Sequence, residues 1–186
     1  MKKITLFLSA AILLAACNNA SNSEKVTTTD AQTVQTAEGT TFSIDSTASV
    51  TWTGSKPTGK HNGTFKIAEG SLLFNSNTLT GGSFIIDINS LSNTDMAGDA
   101  ENKGKLEGHL KSPDFFDVAK FPTAKFEITS VELYDSVTDS SAAKANIQGA
   151  THLIKGNLTL KDSTKNISFP AKVSIEGNSA NAIADF

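Results

Sequence analysis

Apolar and polar residues alternate along several segments of this chain, and a period of two is typical of a β-strand with one buried face. The segment NISFPAKVSIE, residues 166–176, keeps the alternation throughout, and SFIIDI, residues 83–88, repeats it. The residues placed on the inner face are Val50, Trp52, Phe65, Ile67, Leu72, Phe74, Phe84, Ile86, Ile88, Leu158, Leu160, Ile167, Phe169, Ala171, Val173 and Ile175. Such strands, joined by short turns, predict an antiparallel meander.

One of these strands breaks its own period. The pattern puts Ala124, Phe126 and Ile128 on one face and Val131 and Leu133 on the opposite parity. A β-bulge near residues 129–130 would restore the phase, and bulges bend strands in the way that a closing barrel requires. With about eight strands, the period leaves both a sandwich and a barrel open.

The N-terminal residues have the layout of a secretory signal. Lys2 and Lys3 precede an apolar run over residues 4–16, which is too short to be a permanent membrane helix. The run ends in LLAAC, which resembles the bacterial lipobox, so residues 1–16 are predicted to be a signal peptide and Cys17 the site of lipid attachment. The alternative is a free thiol beside an ordinary cleavage site. Cys17 is the one cysteine of the chain, which excludes an internal disulfide.

Two further segments follow the cysteine. Residues 17–41 are rich in Ser, Thr, Asn, Gln and Ala and predict a lipidated flexible tether, and residues 42–186 are long enough for one domain with a core. Without the signal peptide, 14 lysines stand against 19 acidic residues, a formal net charge of −5, and there is no arginine. Nucleic acid is therefore not expected as a partner, because its phosphates are bound by basic faces and by the arginine fork.

The segment HLKSPDFFDVAKFPTAKF, residues 109–126, is aromatic but follows neither a strand nor a helix period. Just before it, residues 99–110 predict a short helix with Asp99 as a possible N-cap, Leu106 and Leu110 on one face, and Pro113 as its stop. The aromatic residues after the helix are Phe115, Phe116 and Phe121. In a barrel, we expect this stretch to cap one end, with some of its apolar side chains facing the interior.

Three stretches resemble the YceI-like family of secreted bacterial proteins: GHLKSPDFFDVAKFPTAKF, VTWTGSKPTGKHNGTF and GNLTLKDSTKNISFPAKV. The resemblance covers residues 42–186 and implies an all-β, antiparallel, lipocalin-like barrel that binds polyisoprenoid lipids. Asp162 stands where many members have a glycine, and the chain stops at ADF, before the family's last segment. The resemblance therefore implies a missing final strand, with open edges that would favour a homodimer.

The aromatic surface suits a hydrocarbon ligand, because the mature chain has ten phenylalanines against one tryptophan and one tyrosine. With the family, the pattern predicts a lipid-binding set of inner-face and capping residues. The set is Trp52, Phe65, Phe84, Ile86, Leu106, Leu110, Phe116, Phe126, Ile128, Leu158 and Leu160. The alternative for each phenylalanine is a core side chain that touches no ligand.

Other chemistry has little support in the sequence. The histidines, His61, His109 and His152, have no short ligand spacing, so neither a metal nor another cofactor is expected. The acidic run around Asp95 lacks the spacing of a calcium loop and is interpreted as solvated. No serine stands in the glycine frame of a hydrolase, so we expect no catalytic residue and no enzyme.

Two functions remain open. The first is a membrane-anchored envelope lipoprotein that binds or carries a long apolar lipid, either a polyisoprenoid or an isoprenoid quinone-like molecule, inside the barrel. The second is a non-catalytic envelope interaction or stress-protection module with a packed, ligand-free barrel. Lipid extracted from the purified protein would distinguish them.

Replacing Cys17 tests the predicted anchor. We expect Cys17→Ser to release the protein from membranes or to leave it unprocessed, because acyl chains on the cysteine would provide most of the membrane affinity. Membrane fractionation and the position of the mature N-terminus measure this. A variant that sediments with membranes as fully as the parent, with the same cleavage point, would show that Cys17 is not the anchor.

Overall fold

The computed structural model describes Val26 and residues 28–135 and 147–185. The predicted signal peptide and Cys17 lie outside the described residues. The elements are β1 Thr28–Asp30, β2 Thr40–Ser43, β3 Ser49–Lys56, β4 Gly59–Asn75, β5 Thr78–Asn93, α1 Ala100–Lys111, β6 Thr123–Leu133, β7 His152–Leu160, β8 Ser163–Glu176 and β9 Ser179–Ala184.

All nine strands found in the described residues belong to one antiparallel sheet, in the order β1, β8, β7, β6, β5, β4, β2. At one end β3 also pairs with β4, beside β2, and at the other end β9 also pairs with β8, beside β1. The prediction of an all-β antiparallel fold with about eight strands and a short helix is confirmed. Within the described residues no pairing joins the two ends, so the hydrogen-bonded order is open.

Bulges keep the apolar side chains of the long strands on one face. In β4 the register shifts between Ile67 and Glu69, which moves the inner face from odd positions such as Phe65 to even positions such as Leu72. In β6 the register shifts between Ile128 and Ser130, which confirms the predicted bulge. The expectation for Leu133 is wrong, because this residue ends the strand with 82% of its surface exposed.

Two apolar clusters form the interior. The larger cluster contains Leu72, Phe74, Leu79, Phe126, Ile128, Ile154, Ile167, Phe169, Ala171 and Val173, with half-buried Phe84, Leu158 and Ile175 against it. The smaller cluster contains Phe65, Ile88, Leu91 and Ala124, with half-buried Val50, Trp52, Ile86, Leu110, Phe116 and Val118 against it. The inner-face positions predicted from the period of two therefore meet in these clusters, except for Ile67 and Leu160, which belong to neither.

Helix α1 begins and ends where local signals place it. The Asp99 side chain accepts a hydrogen bond from the Asn102 backbone N–H and so caps the N-terminus. The helix ends at Lys111, two residues before Pro113. It packs against β5 through Leu110, which joins the smaller cluster. No helix among the described residues is long and apolar enough to cross a membrane.

The predicted tether is ordered over its second half. Thr28 to Asp30 pair with β8 as strand β1, and the residues that follow contact β7 at Asn157 and β5 at Thr80. The side-chain amide of buried Asn157 accepts from the Gln32 backbone N–H and donates to the Gln32 carbonyl. Part of the predicted tether therefore packs on the sheet of the domain predicted for residues 42–186. The polar composition gave no indication that this segment is ordered, because backbone hydrogen bonds rather than apolar side chains hold it in place.

Gly156 tests how closely the strands pack. A Cβ at this position would lie 2.2 Å from the Phe126 ring and 2.8 Å from the Glu127 carbonyl oxygen. We therefore expect Gly156→Ala to lower the free energy of unfolding by about 1–3 kcal/mol. Gly104→Ala in α1 is the matched control, since nothing lies within 4 Å of its Cβ and alanine favours the helix. Denaturant unfolding measures the stability of both variants. If Gly156→Ala and the parent have equal unfolding midpoints, the close packing of position 156 against Phe126 is contradicted.

Candidate functional site

Five of the predicted lipid-binding residues come together at the end of the sheet covered by α1. Trp52 from β3, Phe65 from β4 and Ile86 from β5 meet Leu110 of the helix and Phe116 of the following loop. The Phe65 and Phe116 rings stand edge to face with centroids 5.6 Å apart, and the Trp52 ring lies 6.5 Å from Phe65. The helix and loop therefore close this end with apolar side chains.

Four more predicted residues lie in the larger cluster. Phe126 and Ile128 are buried there, while Phe84 and Leu158 are half-buried against it. The structure also brings in Phe169, whose ring lies 5.6 Å from Phe126. The nine placed residues therefore form two apolar groups on one inner face, arranged along the sheet.

Leu160 does not lie where the alternation predicted. It pairs with Ser163 at the very end of the β7–β8 hairpin, is 37% exposed, and belongs to neither cluster. The tight turn that follows, with Lys161 at a positive φ of 56°, carries the hairpin end beyond the strands that could cover this side chain. Leu106 is half-buried on α1 and is likewise in neither cluster.

The loop after α1 directs only one of its three phenylalanines into the interior. The Phe116 backbone N–H donates to the Leu110 carbonyl, and Asp117, at a φ of 50°, donates to the Ser112 carbonyl. These bonds fold the loop back so that Phe116 reaches the cluster. Phe115 remains 48% exposed, and Phe121 lies half-buried beneath the Lys120 ammonium group, 4.9 Å from its centroid. The predicted cap is therefore made by Leu110 and Phe116.

A polar network borders the capped end, and the sequence interpretation missed it. Asp95 accepts hydrogen bonds from the Asn62 backbone N–H, from the Asn93 side chain and from His61, whose Nδ1 lies 2.9 Å away. The bond from Asn62, followed by that from His61, lowers the pKa of Asp95 to about 2. Asp95 is exposed, in agreement with the interpretation of this run as solvated, but its carboxylate is also hydrogen-bonded. No local pattern links residues 34 positions apart in the chain.

The network continues into α1 through Glu107. Its carboxylate accepts from the Asn93 backbone N–H and from Lys103, four residues earlier on the helix. Partial burial raises the pKa of Glu107, but the hydrogen bonds from Lys103 and Asn93 outweigh it and hold the pKa below its usual range. The helix is thus tied to the end of β5 by hydrogen bonds as well as by Leu110.

The remaining polar features are separate from the apolar clusters. His152 bonds Thr151 Oγ1 through Nδ1, and burial lowers its pKa. The described residues contain no group of three side chains that could hold a metal ion. An open surface depression of about 300 Å³ is lined mostly by polar groups on β2, β4 and β5. Its residues are Thr41, Ser43, Glu69, Gly70, Ser71, Ser83 and Ile85.

The chain is an all-β protein with one antiparallel sheet, whose apolar inner face is covered at one end by a helix and an aromatic loop. Residues 1–18 match a prokaryotic membrane lipoprotein lipid attachment site, so the chain is a membrane-anchored lipoprotein of the bacterial cell envelope. Residues 41–186 match the YceI-like domain, and the chain belongs to the YceI-like family, whose members are generally non-catalytic binding proteins.

Individual curated relatives and solved structures share about a third or less of their residues with this chain. Protein YceI of Salmonella arizonae and of Salmonella newport are each 32% identical over 116 residues, which is 62% of this chain. The chain spans about half the length of these relatives. The crystal structure of BcnA from Burkholderia cenocepacia has a TM-score of 0.48 at 18% identity, covering 66% of this chain and 65% of that one. The YCEI protein of Campylobacter jejuni has a TM-score of 0.36 at 17% identity, covering 93% and 69%.

Acid titration tests the polar network. Because the pKa of Asp95 is about 2 in the folded state, below the usual value of 3.8, its carboxylate stabilises the fold at pH values above about 4. This contribution is lost as the pH falls through 2. The thermal midpoint of Asp95→Asn should therefore lie below that of the parent by a constant amount down to about pH 4, with a gap that narrows toward pH 2.

Asp162→Asn, in the exposed turn between β7 and β8, is the control for removing a charge alone. If the gap between parent and Asp95→Asn stays unchanged from pH 7 to pH 2, the carboxylate of Asp95 does not stabilise the fold.

Proposed function

We propose that this lipoprotein binds one long apolar lipid along the inner face of its sheet. The ligand class is a polyisoprenoid or an isoprenoid quinone-like molecule, and the protein holds or carries it at the membrane to which Cys17 attaches. The proposal requires no catalytic residue, since burial of the hydrocarbon supplies the affinity.

The observation that carries the proposal is apolar surface that the fold leaves accessible. Trp52, Phe84, Ile86, Leu158 and Ile175 point to the inner face, yet each is only half-buried. A hydrocarbon laid against these side chains would gain about 0.8 kcal/mol for each buried methylene-sized group, before the cost of ordering the ligand. A tail of isoprene units offers many such groups.

The composition of this face selects the ligand chemistry. Phenylalanine supplies three of the buried side chains in the larger cluster, and the whole of that cluster is apolar. Such a lining offers no hydrogen bonds to a polar chain. The affinity for a ligand therefore depends on the apolar area that the ligand buries against it. A long, uncharged hydrocarbon tail fits this requirement better than a sugar or a peptide.

The proposed anchor keeps the domain near the membrane. Cys17 and Thr28, the first residue of β1, are 11 residues apart in the chain. Since each residue spans at most about 3.6 Å, the start of β1 lies within roughly 40 Å of the acylated residue. The open edge formed by β1 and β9 is thus held within reach of the bilayer, where apolar ligands reside.

A packed, ligand-free module remains the second candidate. The close ring contacts, such as Phe65 with Phe116 and Phe126 with Phe169, favour it because they fill part of the interior with side chains. In that case the family membership and the anchor would stay the same, and the partner would be another envelope component rather than a lipid.

Native mass spectrometry distinguishes the candidates. The full chain carrying Cys17→Ser is purified without detergent from its own envelope fraction, and its spectrum is recorded under conditions that keep apolar ligands bound. A stoichiometric species of added mass, which lipid extraction identifies as a long isoprenoid, supports the proposal. A spectrum of ligand-free protein, unchanged after incubation with isoprenoid lipid, would leave the packed module as the function.

Ile86 provides the matching mutational test. Ile86→Glu should abolish lipid copurification, because it places a charge on the apolar inner face, and it should also cost several kcal/mol of stability. Leu133→Glu is the control, since this residue is 82% exposed, and it should retain the lipid.

Ile86→Trp separates binding from folding, because tryptophan keeps the surface apolar but fills space. The thermal midpoint and the bound lipid are measured for each variant. A folded Ile86→Trp protein that retains the full amount of lipid would show that Ile86 does not contact the ligand.

A further inference from the structure

The indole nitrogen of Trp52 is the one buried side-chain polar atom without a hydrogen-bond partner among the described residues. It lies on β3, on the inner face of the sheet, where the surrounding side chains are apolar. Buried donors in folded proteins nearly always have a partner, so an exception requires a physical explanation.

The Trp52 ring lies against the backbone of the strand opposite. Trp52 pairs with Gly63 of β4, and a Cβ at Gly63 would lie 2.5 Å from Cζ2 and 2.7 Å from Cε2 of the indole. The ring therefore occupies the space that a side chain at position 63 would take. Because Nε1 is bonded to Cε2, the nitrogen also lies close to Gly63, and it is buried beside the smaller cluster.

The neighbouring polar groups do not satisfy this nitrogen, because they bond one another. Asn93 donates to the Asn62 carbonyl and to Asp95, and its own oxygen accepts from the Met96 backbone N–H. His61 is bonded to Asp95 through Nδ1. The Trp52 nitrogen is therefore left with a hydrogen-bonding capacity that a ligand could use.

We propose that Trp52 Nε1 donates a hydrogen bond to an uncharged oxygen in the head group of the bound lipid. This assignment rests on the proposed function. It adds a binding site for the head group and the direction in which the lipid tail extends from that site. The head lies beneath α1 at the smaller cluster, and the tail runs along the sheet toward Phe126 and the larger cluster.

The chemistry of the site limits the head group. Indole is a donor only, so the ligand atom must be an acceptor, such as a carbonyl or ether oxygen. A phosphate would need a positive charge to offset its burial. Lys103, one of the cationic groups near this end of the sheet, is already bound to Glu107 and to the Asn93 carbonyl. An uncharged oxygen fits these surroundings.

A pair of probes that differ in one oxygen tests the assignment. The full chain carrying Cys17→Ser is titrated with geranylgeranylacetone, an isoprenoid ketone, and with the hydrocarbon in which its carbonyl is replaced by methylene. Native mass spectrometry gives the dissociation constant for each, and the fluorescence of Trp52, the chain's single tryptophan, gives a second readout for the parent. We expect the ketone to bind about tenfold more tightly than the hydrocarbon.

Trp52→Phe is the informative variant, because it keeps an aromatic ring and removes the donor. The ratio of the two dissociation constants should fall to about one in this variant. Phe65→Leu is the matched control, since it changes the apolar packing of the same cluster and should weaken both probes while keeping their ratio. Thermal midpoints confirm that each variant is folded.

The outcomes separate the two proposals. If the parent binds both probes with equal affinity, or if Trp52→Phe keeps the parent's ratio, the head-group assignment is overturned and the lipid-binding function stands. If geranylgeranyl diphosphate binds more tightly than the ketone and depends on Trp52, the uncharged head group is overturned. If the parent binds none of the probes, the lipid-binding function itself fails, and the assignment fails with it.

Discussion

The backbone pairing of β4 with its neighbours is the interaction on which the rest of the structure depends. This strand pairs with β5 along one side and with both β3 and β2 along the other, so three ladders include it. The register shift after Ile67 allows one long strand to turn apolar side chains from both of its halves to the same face. Without that bulge, either Phe65 or Leu72 would face the solvent, and the two clusters could not lie on one inner surface.

Polar side chains hold two parts of the structure in place, the N-terminal segment and the end of the sheet that bears the helix. Asn157 and Asn166, directly paired across β7 and β8, are buried on the outer face, where Asn157 bonds both backbone groups of Gln32. At the other end of the sheet, Asp95 joins the β3–β4 hairpin to the end of β5. In both places a side-chain amide or carboxylate bonds backbone groups of a distant segment, Gln32 in the first case and Asn62 in the second. The N-terminal segment and the helix-bearing end are thereby attached to the sheet.

The proposed function follows from this separation of polar and apolar side chains. In the described part of the chain, phenylalanine and aliphatic side chains form both inner-face clusters, and the Trp52 nitrogen is a buried polar atom without a hydrogen-bond partner. Such a surface distinguishes ligands by hydrocarbon area and, at one point, by an acceptor atom. The lipid attachment signal places this surface in the cell envelope, where long apolar molecules are present.

The sequence by itself determined the local features. The alternation of apolar and polar residues identified the strands and most of their inner residues. The change of parity located the bulge of β6. Asp99 and Pro113 predicted the bounds of α1 to within a residue or two. Each of these depends on neighbours a few positions away. The tertiary structure alone decided that Leu160 lies beyond the covering strands, that residues 28–32 join the sheet, and that His61 meets Asp95. It also decided the open strand order. These outcomes depend on register and on contacts between distant segments, and a pattern of apolar spacing carries no information about which strand lies opposite which.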